Sequence, residues 1–319
     1  MERKHLVGSC CIALALVAFA PACTEKEKGG STKTPASEAM GTFTFAPPDG
    51  TTFVRTEHRT YEVSVAGTPV SRREESELRW RVSTTRSGDE FLIDQELEHL
   101  TVKHDDKTVA DGDLKPGAIS AQLVVDHAGN LVDVRGLKDT SATLRSVAGP
   151  NLDKEDAQMI SPEGLKDMVS MRFQALTGDL VGHPATQGTT WTIQGRPGSG
   201  ILSRTITVEA METCGSAQCA RLREDIKVDP QALNDLGNEL IKDYREEMGA
   251  QGKQKVHAEN ASSSMTATLV VEPSTMLAHD ATLNETGQLT FKGAKRSLQV
   301  NMRGQTQFKY EYGAKVAHR

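Results

Sequence analysis

Cys214 and Cys219 are the side chains outside the N-terminal segment with the most evident chemistry. They enclose Gly215, Ser216, Ala217 and Gln218 between two strand-like segments, 206–211 and 220–228. In an oxidising compartment, two cysteines flanking a hairpin loop form a disulfide. Closing so short a loop contributes about 2 kcal/mol by the chain-entropy argument. A redox-active pair is the alternative, but thioredoxin-like sites separate their cysteines by two residues and need a βαβ setting. A zinc ion would need further ligands, and no histidine stands close in sequence to complete the set. A structural bridge is therefore expected. The other dense group of potential ligands is His99 and His104 with Glu98, Asp105 and Asp106. Five residues apart on a strand, the two histidines point to opposite faces, so the group reads as solvated strand-end residues. Asp111, Gly112 and Asp113 have the opening of a calcium loop but lack its later ligands and terminal Glu, so a turn is expected there.

Nucleophilic and cofactor signatures are absent. Gly-x-Ser-x-Gly does not occur, and Gly198, Ser199 and Gly200 read as a hairpin turn. There is no His-Glu-x-x-His, no phosphate-binding loop and no dinucleotide fingerprint. No catalytic residue, cofactor site or metal ligand is assigned, and a non-enzymatic protein is expected. The chain carries 37 basic and 43 acidic residues, a formal net charge of −6. Such a surface repels phosphate backbones and offers nucleic acid no basic footprint. No polybasic run adds attraction to anionic lipid.

The first 23 residues read MERKHLVGSCCIALALVAFAPAC. Arg3 and Lys4 precede an apolar run over 6–20, too short to span a bilayer comfortably but suited to a signal peptide. The run ends in Ala20, Pro21, Ala22 and Cys23. This resembles the lipobox of bacterial prolipoproteins, in which small residues at −3 and −1 precede an obligatory cysteine. Leu is the family's usual choice at −3, where this chain has Ala20. The resemblance implies a signal over 1–22, a diacylglycerol on the Cys23 sulfur, and an acyl group such as palmitate on the new amino terminus. Two or three acyl chains anchor stably, whereas one is marginal. An ordinary secretory signal cut after Ala-x-Ala, with Cys23 merely adjacent, stays open. Cleavage removes Glu2, Arg3, Lys4, Cys10 and Cys11 and leaves a net charge of −7. Residues 24–41 are rich in Gly, Ser, Thr, Lys and Glu and read as a flexible tether with a reach on the order of 25 Å. In that family an Asp after the cysteine retains the protein at the inner membrane. Thr24 stands there instead, so the outer membrane is expected over the inner.

Residues 42–313 must supply the folded body. In 51–65, Phe53, Tyr61, Val63 and Val65 share one parity against Thr52, Thr56, His58, Thr60, Glu62 and Ser64, the mark of a strand with one buried face. Leu78, Trp80 and Val82 repeat the pattern, as do Phe91, Ile93 and Leu97, then Ile119, Ala121, Leu123 and Val125. A short run from Leu131 to Val134 follows. Short connections make neighbours antiparallel. The period then changes. Ser161, Pro162 and Glu163 form a helix start, followed by Leu165, Met168, Val169, Leu176 and Leu180 at helical spacing. A second helix starts at Asp229 and Pro230, shows Leu233, Leu236, Leu240, Tyr244 and Met248, and stops at Gly249. Strands return near 189–193, 201–211, 220–228, 262–271, 282–291 and 298–312. A faint echo between Asp49–Phe53 and Gln187–Trp191 allows two related halves, 42–150 and 187–313, joined by a helical segment.

Strands this long must twist and coil. The expected class is α+β, a long antiparallel curved sheet or partial β-barrel with two or more packed helices. In outline this is similar to half-barrel carriers of lipids and lipoproteins in bacterial envelopes, and to strand-rich bacterial lipoproteins for which no activity is implied. The function expected is that of a lipid-anchored envelope protein, held to the membrane through its N-terminal lipid, that binds an apolar ligand or another envelope protein. A purely structural or scaffold lipoprotein predicts a solid interior instead. An envelope hydrolase requires acids or histidines converging in a concave site.

Overall fold

Alternating side chains along 14 to 17 residues commit this chain to sheet, and its computed structural model is built around one. The structure describes residues 41–69, 71–149, 152, 154–195, 200–247, 256–293 and 297–313. The signal, Cys23 and nearly all of the tether lie outside the described residues, as do Gly198, Ser199, Met248 and Gly249. Six strands precede the central helices: β1 Thr52–Val65, β2 Ser71–Ser87, β3 Glu90–His104, β4 Lys107–Asp113, β5 Ser120–Asp126 and β6 Leu131–Arg135. Six follow: β7 Thr190–Gln194, β8 Ile201–Cys214, β9 Ala217–Val228, β10 His257–Val271, β11 Ala278–Lys292 and β12 Ser297–Tyr312. All belong to one antiparallel sheet of order β6-β5-β3-β2-β1-β12-β11-β10-β9-β8-β7, with β4 branching from β3.

Two meanders thus meet where β1 pairs with β12, from Phe53 opposite Tyr312 to Val65 opposite Val300. The outer strands of this path, β6 and β7, are joined through the helical segment between them. Gln187–Trp191 leads into the edge strand β7, whereas Asp49–Phe53 opens the central strand β1. One sheet face is polar, as Asn301, Arg303, Gln305, Gln307, Lys309 and Glu311 show along β12. The other carries the core: Leu123 and Val125 of β5, Trp80 of β2, Phe308 of β12 and Ile206 of β8 belong to a single apolar cluster. Antiparallel sheets commonly divide water and core in this way.

Four α-helices are described: α1 Leu137–Ala148, α2 Lys154–Met159, α3 Pro162–Phe173 and α4 Pro230–Glu247. Ser161 caps α3 as its sequence predicts, its hydroxyl accepting from the Gly164 N–H at 3.1 Å with Pro162 in the first turn. The helix continues into one π turn, Gln174–Gly178. Leu165, Met168 and Leu180 are buried on the core side. The helix α1 was not evident from pattern, since its N-cap is Gly136 at φ 82° with no side-chain cap.

Three local expectations need correction. Asp111, Gly112 and Asp113 lie in strand β4, not in a turn; the reversal falls at Asp105 and Asp106, both with positive φ. Leu236 is 53% exposed, so it is no part of the face that α4 packs on the sheet. That face is built from Leu233, Gly237 and Ile241, rotated from the leucine stripe. Gly237 fits because a Cβ there would stand 2.7 Å from that of Ala258. The third concerns β10, which begins at His257 rather than near 262 and carries a bulge with Asn260 at φ 56°. The side chains of Asn238 and Asn234 accept from the N–H groups of Ala258 and Ala261, at 2.8 and 3.1 Å, and satisfy donors around the irregularity.

The polypeptide reaches this body through an irregular arm. Phe43 donates its N–H to His183 O at 2.9 Å and accepts from Gly182 N at 2.8 Å, while Thr44 N reaches Pro273 O at 2.8 Å. Phe43 is 1% exposed, and the Phe45 ring meets Phe91 and Phe173 edge-on at 5.3 and 5.9 Å.

Candidate functional site

The buried parity of β1 does not stay apolar. Phe53 is followed on the same face by Arg55 and Glu57, whose registers place them against both neighbours. Phe53 stands opposite Val82 and Tyr312, Arg55 opposite Trp80 and Tyr310, and Glu57 opposite Leu78 and Phe308. Helices α1 and α3 cover this part of the sheet without filling it. They leave a cavity of about 170 Å³ whose walls include Leu123 of β5, Leu137 of α1 and Met168 of α3. Its polar lining includes Gln95 as well as Arg55, Arg172, Trp80, Tyr310 and Tyr312. No histidine, cysteine or carboxylate is among the lining residues.

The charges beside this cavity do not balance. Glu57 accepts from Arg55 at 3.0 Å and from Arg172 at 2.5 Å, so one carboxylate serves two guanidinium groups. Burial, then the proximity of Arg172, lowers the Arg55 guanidinium to about 10. Arg55 lies over the Trp80 ring at 5.5 Å and Arg172 over Phe308 at 5.3 Å, contacts that offset part of the desolvation. Burial raises Tyr310 and Tyr312, which keeps both phenols protonated; Tyr312 donates to Ala278 O at 2.7 Å. Three donors of the residues lining this cavity are buried with no acceptor among the described residues: Arg55 Nε, Arg172 Nε and Trp80 Nε1. The sequence contains the signal for this margin, because charged residues at 55 and 57 occupy the parity that Phe53 marks as buried.

A second buried cation has a different setting. Arg204 of β8 is 1% exposed and forms ion pairs with Asp179 and Glu224, and its Nη2 donates to Ala175 O at 3.2 Å. Asp179 also accepts from Gln174 at 2.7 Å. This network fastens the π turn to β8 and β9, and its donors and acceptors are matched.

Cys214 and Cys219 form the expected disulfide across the β8–β9 turn, with Cα atoms 5.9 Å apart. The fold also brings His279 of β11 to them, so that one ligand atom from each residue lies within 4.8 Å of the others. The histidine missing from the local sequence is thus supplied from 60 residues away, but the sulfurs are bonded to each other and are not free thiolates. His279 is oriented by Glu272 at 2.8 Å, itself bonded to Thr275 at 2.7 Å. His99 pairs with Asp113 at 3.0 Å and Asp111 at 3.3 Å on the β3–β4 ribbon, while His104 lies five residues further along β3. The structure does not gather these into the cavity.

No family model matches the sequence, and no curated protein matches it. Among solved structures, the chain is similar to a Bacteroides fragilis protein of YmcC-like fold described as exported. Identity is 10%, coverage is 85% of this chain and 100% of that one, and the TM-score is 0.25. It is also similar to DynF of the dynemicin biosynthesis pathway of Micromonospora chersina. There the identity is 8%, the coverage 90% of each chain and the TM-score 0.18. A DUF1329 family protein from Desulfovibrio piger gives 8% identity, coverage of 83% and 87%, and a TM-score of 0.13. Superpositions this loose carry nothing about function.

Proposed function

We propose that this chain is a lipid-anchored protein of a bacterial envelope that holds a small apolar ligand between its sheet and helices α1 and α3. The cavity of about 170 Å³ carries this reading. Well-packed interiors leave few voids larger than a water molecule, and an apolar cavity of about 150 Å³ accepts a benzene-sized guest. The lining has no nucleophile–base pair, which favours binding over turnover. The anchor rests on Ala20, Pro21, Ala22 and Cys23, which resemble the lipobox, and on the tether after them.

Each half has its own experiment. Expressed in a bacterium, wild type should carry a lipid-sized mass increment and partition into detergent, and Cys23→Ser should lose both. Soluble, unmodified wild type would sink the anchor. For the cavity, Ala121→Phe on β5 fills space that a guest would occupy. Calorimetric titration with 1-hexanol should show at least tenfold weaker binding than wild type. Equal binding by the two proteins, or none by wild type, would remove the cavity as the site.

A further inference from the structure

We infer that the ligand of this cavity is a compact monocarboxylate, an apolar body of about six carbons ending in an anionic head held by Arg55, Arg172 and Trp80. The inference rests on the apolar-ligand reading and extends it to the polar end of the molecule.

The first support is the hydrogen-bond account. Arg55 and Trp80 are each 6% exposed, and a buried donor without a partner costs about 1–3 kcal/mol. Native proteins pair nearly all such groups, so three unpaired donors among the lining of one cavity are unusual. Each can donate and none can accept, because guanidinium and indole nitrogens carry no acceptor. The occupant's polar end must therefore accept, as a carboxylate does with two oxygens.

Charge gives the second support. Arg55 and Arg172 line the cavity, whereas Glu57, their shared counter-ion, does not. Two cations against one anion leave one positive charge uncompensated at the cavity wall. The Arg204 network shows the opposite arrangement in the same protein, with two carboxylates for one guanidinium. An ammonium would be repelled by this wall, and an alcohol would satisfy a donor without compensating the charge. The lowered Arg55 agrees with a site that lacks an anion.

Size restricts the rest of the ligand. With about 170 Å³ available, the body is a short acyl chain or a single ring, so fatty acids and aromatic acids share the required chemistry.

The test uses the full chain with Cys23→Ser throughout, so that no acyl group of its own competes. Hexanoate, 1-hexanol and hexylamine are titrated calorimetrically at low salt and neutral pH, and phenylacetate is compared with 2-phenylethanol. Either acid should bind at least tenfold more tightly than its alcohol, and hexylamine should not bind. Preference for hexanoate over phenylacetate would assign a lipid-derived source, and the reverse an aromatic acid. Arg55→Met should abolish the acid preference, weakening hexanoate at least tenfold more than 1-hexanol. Should that variant fail to fold, Trp80→Phe keeps an aromatic ring, removes one donor and should weaken hexanoate several-fold more than 1-hexanol. Equal binding of acid and alcohol by wild type would overturn the inference while leaving the apolar site intact. Absence of binding by every probe would overturn both.

Discussion

Replacing Arg204 by alanine should lower the free energy of unfolding by about 3–5 kcal/mol, because it leaves Asp179 and Glu224 buried beside each other without a cation. Few single changes reach that size. Urea unfolding followed by circular dichroism measures it as a fall in the midpoint with little change in slope. The effect also carries a pH signature. Asp179 already titrates above the ordinary carboxylate range, since burial outweighs the pull of Arg204 and of the Gln174 hydrogen bond. Loss of Arg204 should raise it further. A carboxyl raised in the folded state binds its proton more tightly there than in the unfolded chain. Its contribution to stability is therefore present in acid and is lost as pH rises through the folded pKa. The variant should thus recover toward wild type as the pH falls toward the unfolded carboxyl range near 4. A deficit that stays constant from neutral pH into that range would show that lost packing, not unpaired charge, is its source.

Phe43→Ala should cost about 3–5 kcal/mol, the range for emptying a fully buried aromatic site. Its consequence is local as well as global. The arm is held by four backbone hydrogen bonds, from Phe43 N, Thr44 N, Gly182 N and Ala185 N, together with the two phenylalanines. Hydrogen exchange should accelerate at those four amides by a larger factor than at the central amides of β11 and β12. Uniform acceleration across the protein would mean that the arm does not open as a separate unit.

How far the sequence reveals this fold follows from which interactions are local. Strand alternation is local and strong, so the meanders, their antiparallel pairing and the sheet-dominated class were legible from positions such as Leu78, Trp80 and Val82. The cap at Ser161 was equally plain, since cap, proline and acid are consecutive. The face of α4 is hard to read because its leucines suggest one stripe, while Gly237 and two asparagines make the closer approach to β10. A hydropathy pattern cannot weigh a glycine chosen for nearness. The alternation of Phe43 and Phe45 with Thr42 and Thr44 was visible, yet it is too short to distinguish a buried arm from the end of a tether. The cavity and its charged lining were the least legible part. Arg55 and Glu57 interrupt an apolar parity, but their partners Arg172, Trp80 and Tyr310 come from three distant elements. Only the register of β1 with β2 and β12 brings them together.

That pairing of the first strand with the last also constrains the order of events during folding. Tyr310 and Tyr312, which line the cavity beneath α1 and α3, belong to the final strand. Until they are added, β1 and β11 present two long unpaired edges, the form of strand most prone to join another molecule. Pairing positions 53 and 312 also requires closing most of the chain into one loop, so folding is expected to be slow. A nascent or C-terminally truncated chain would therefore lack the completed cavity and would expose its most adhesive surfaces. Time spent unfinished, rather than weakness once complete, is the vulnerability that this topology creates.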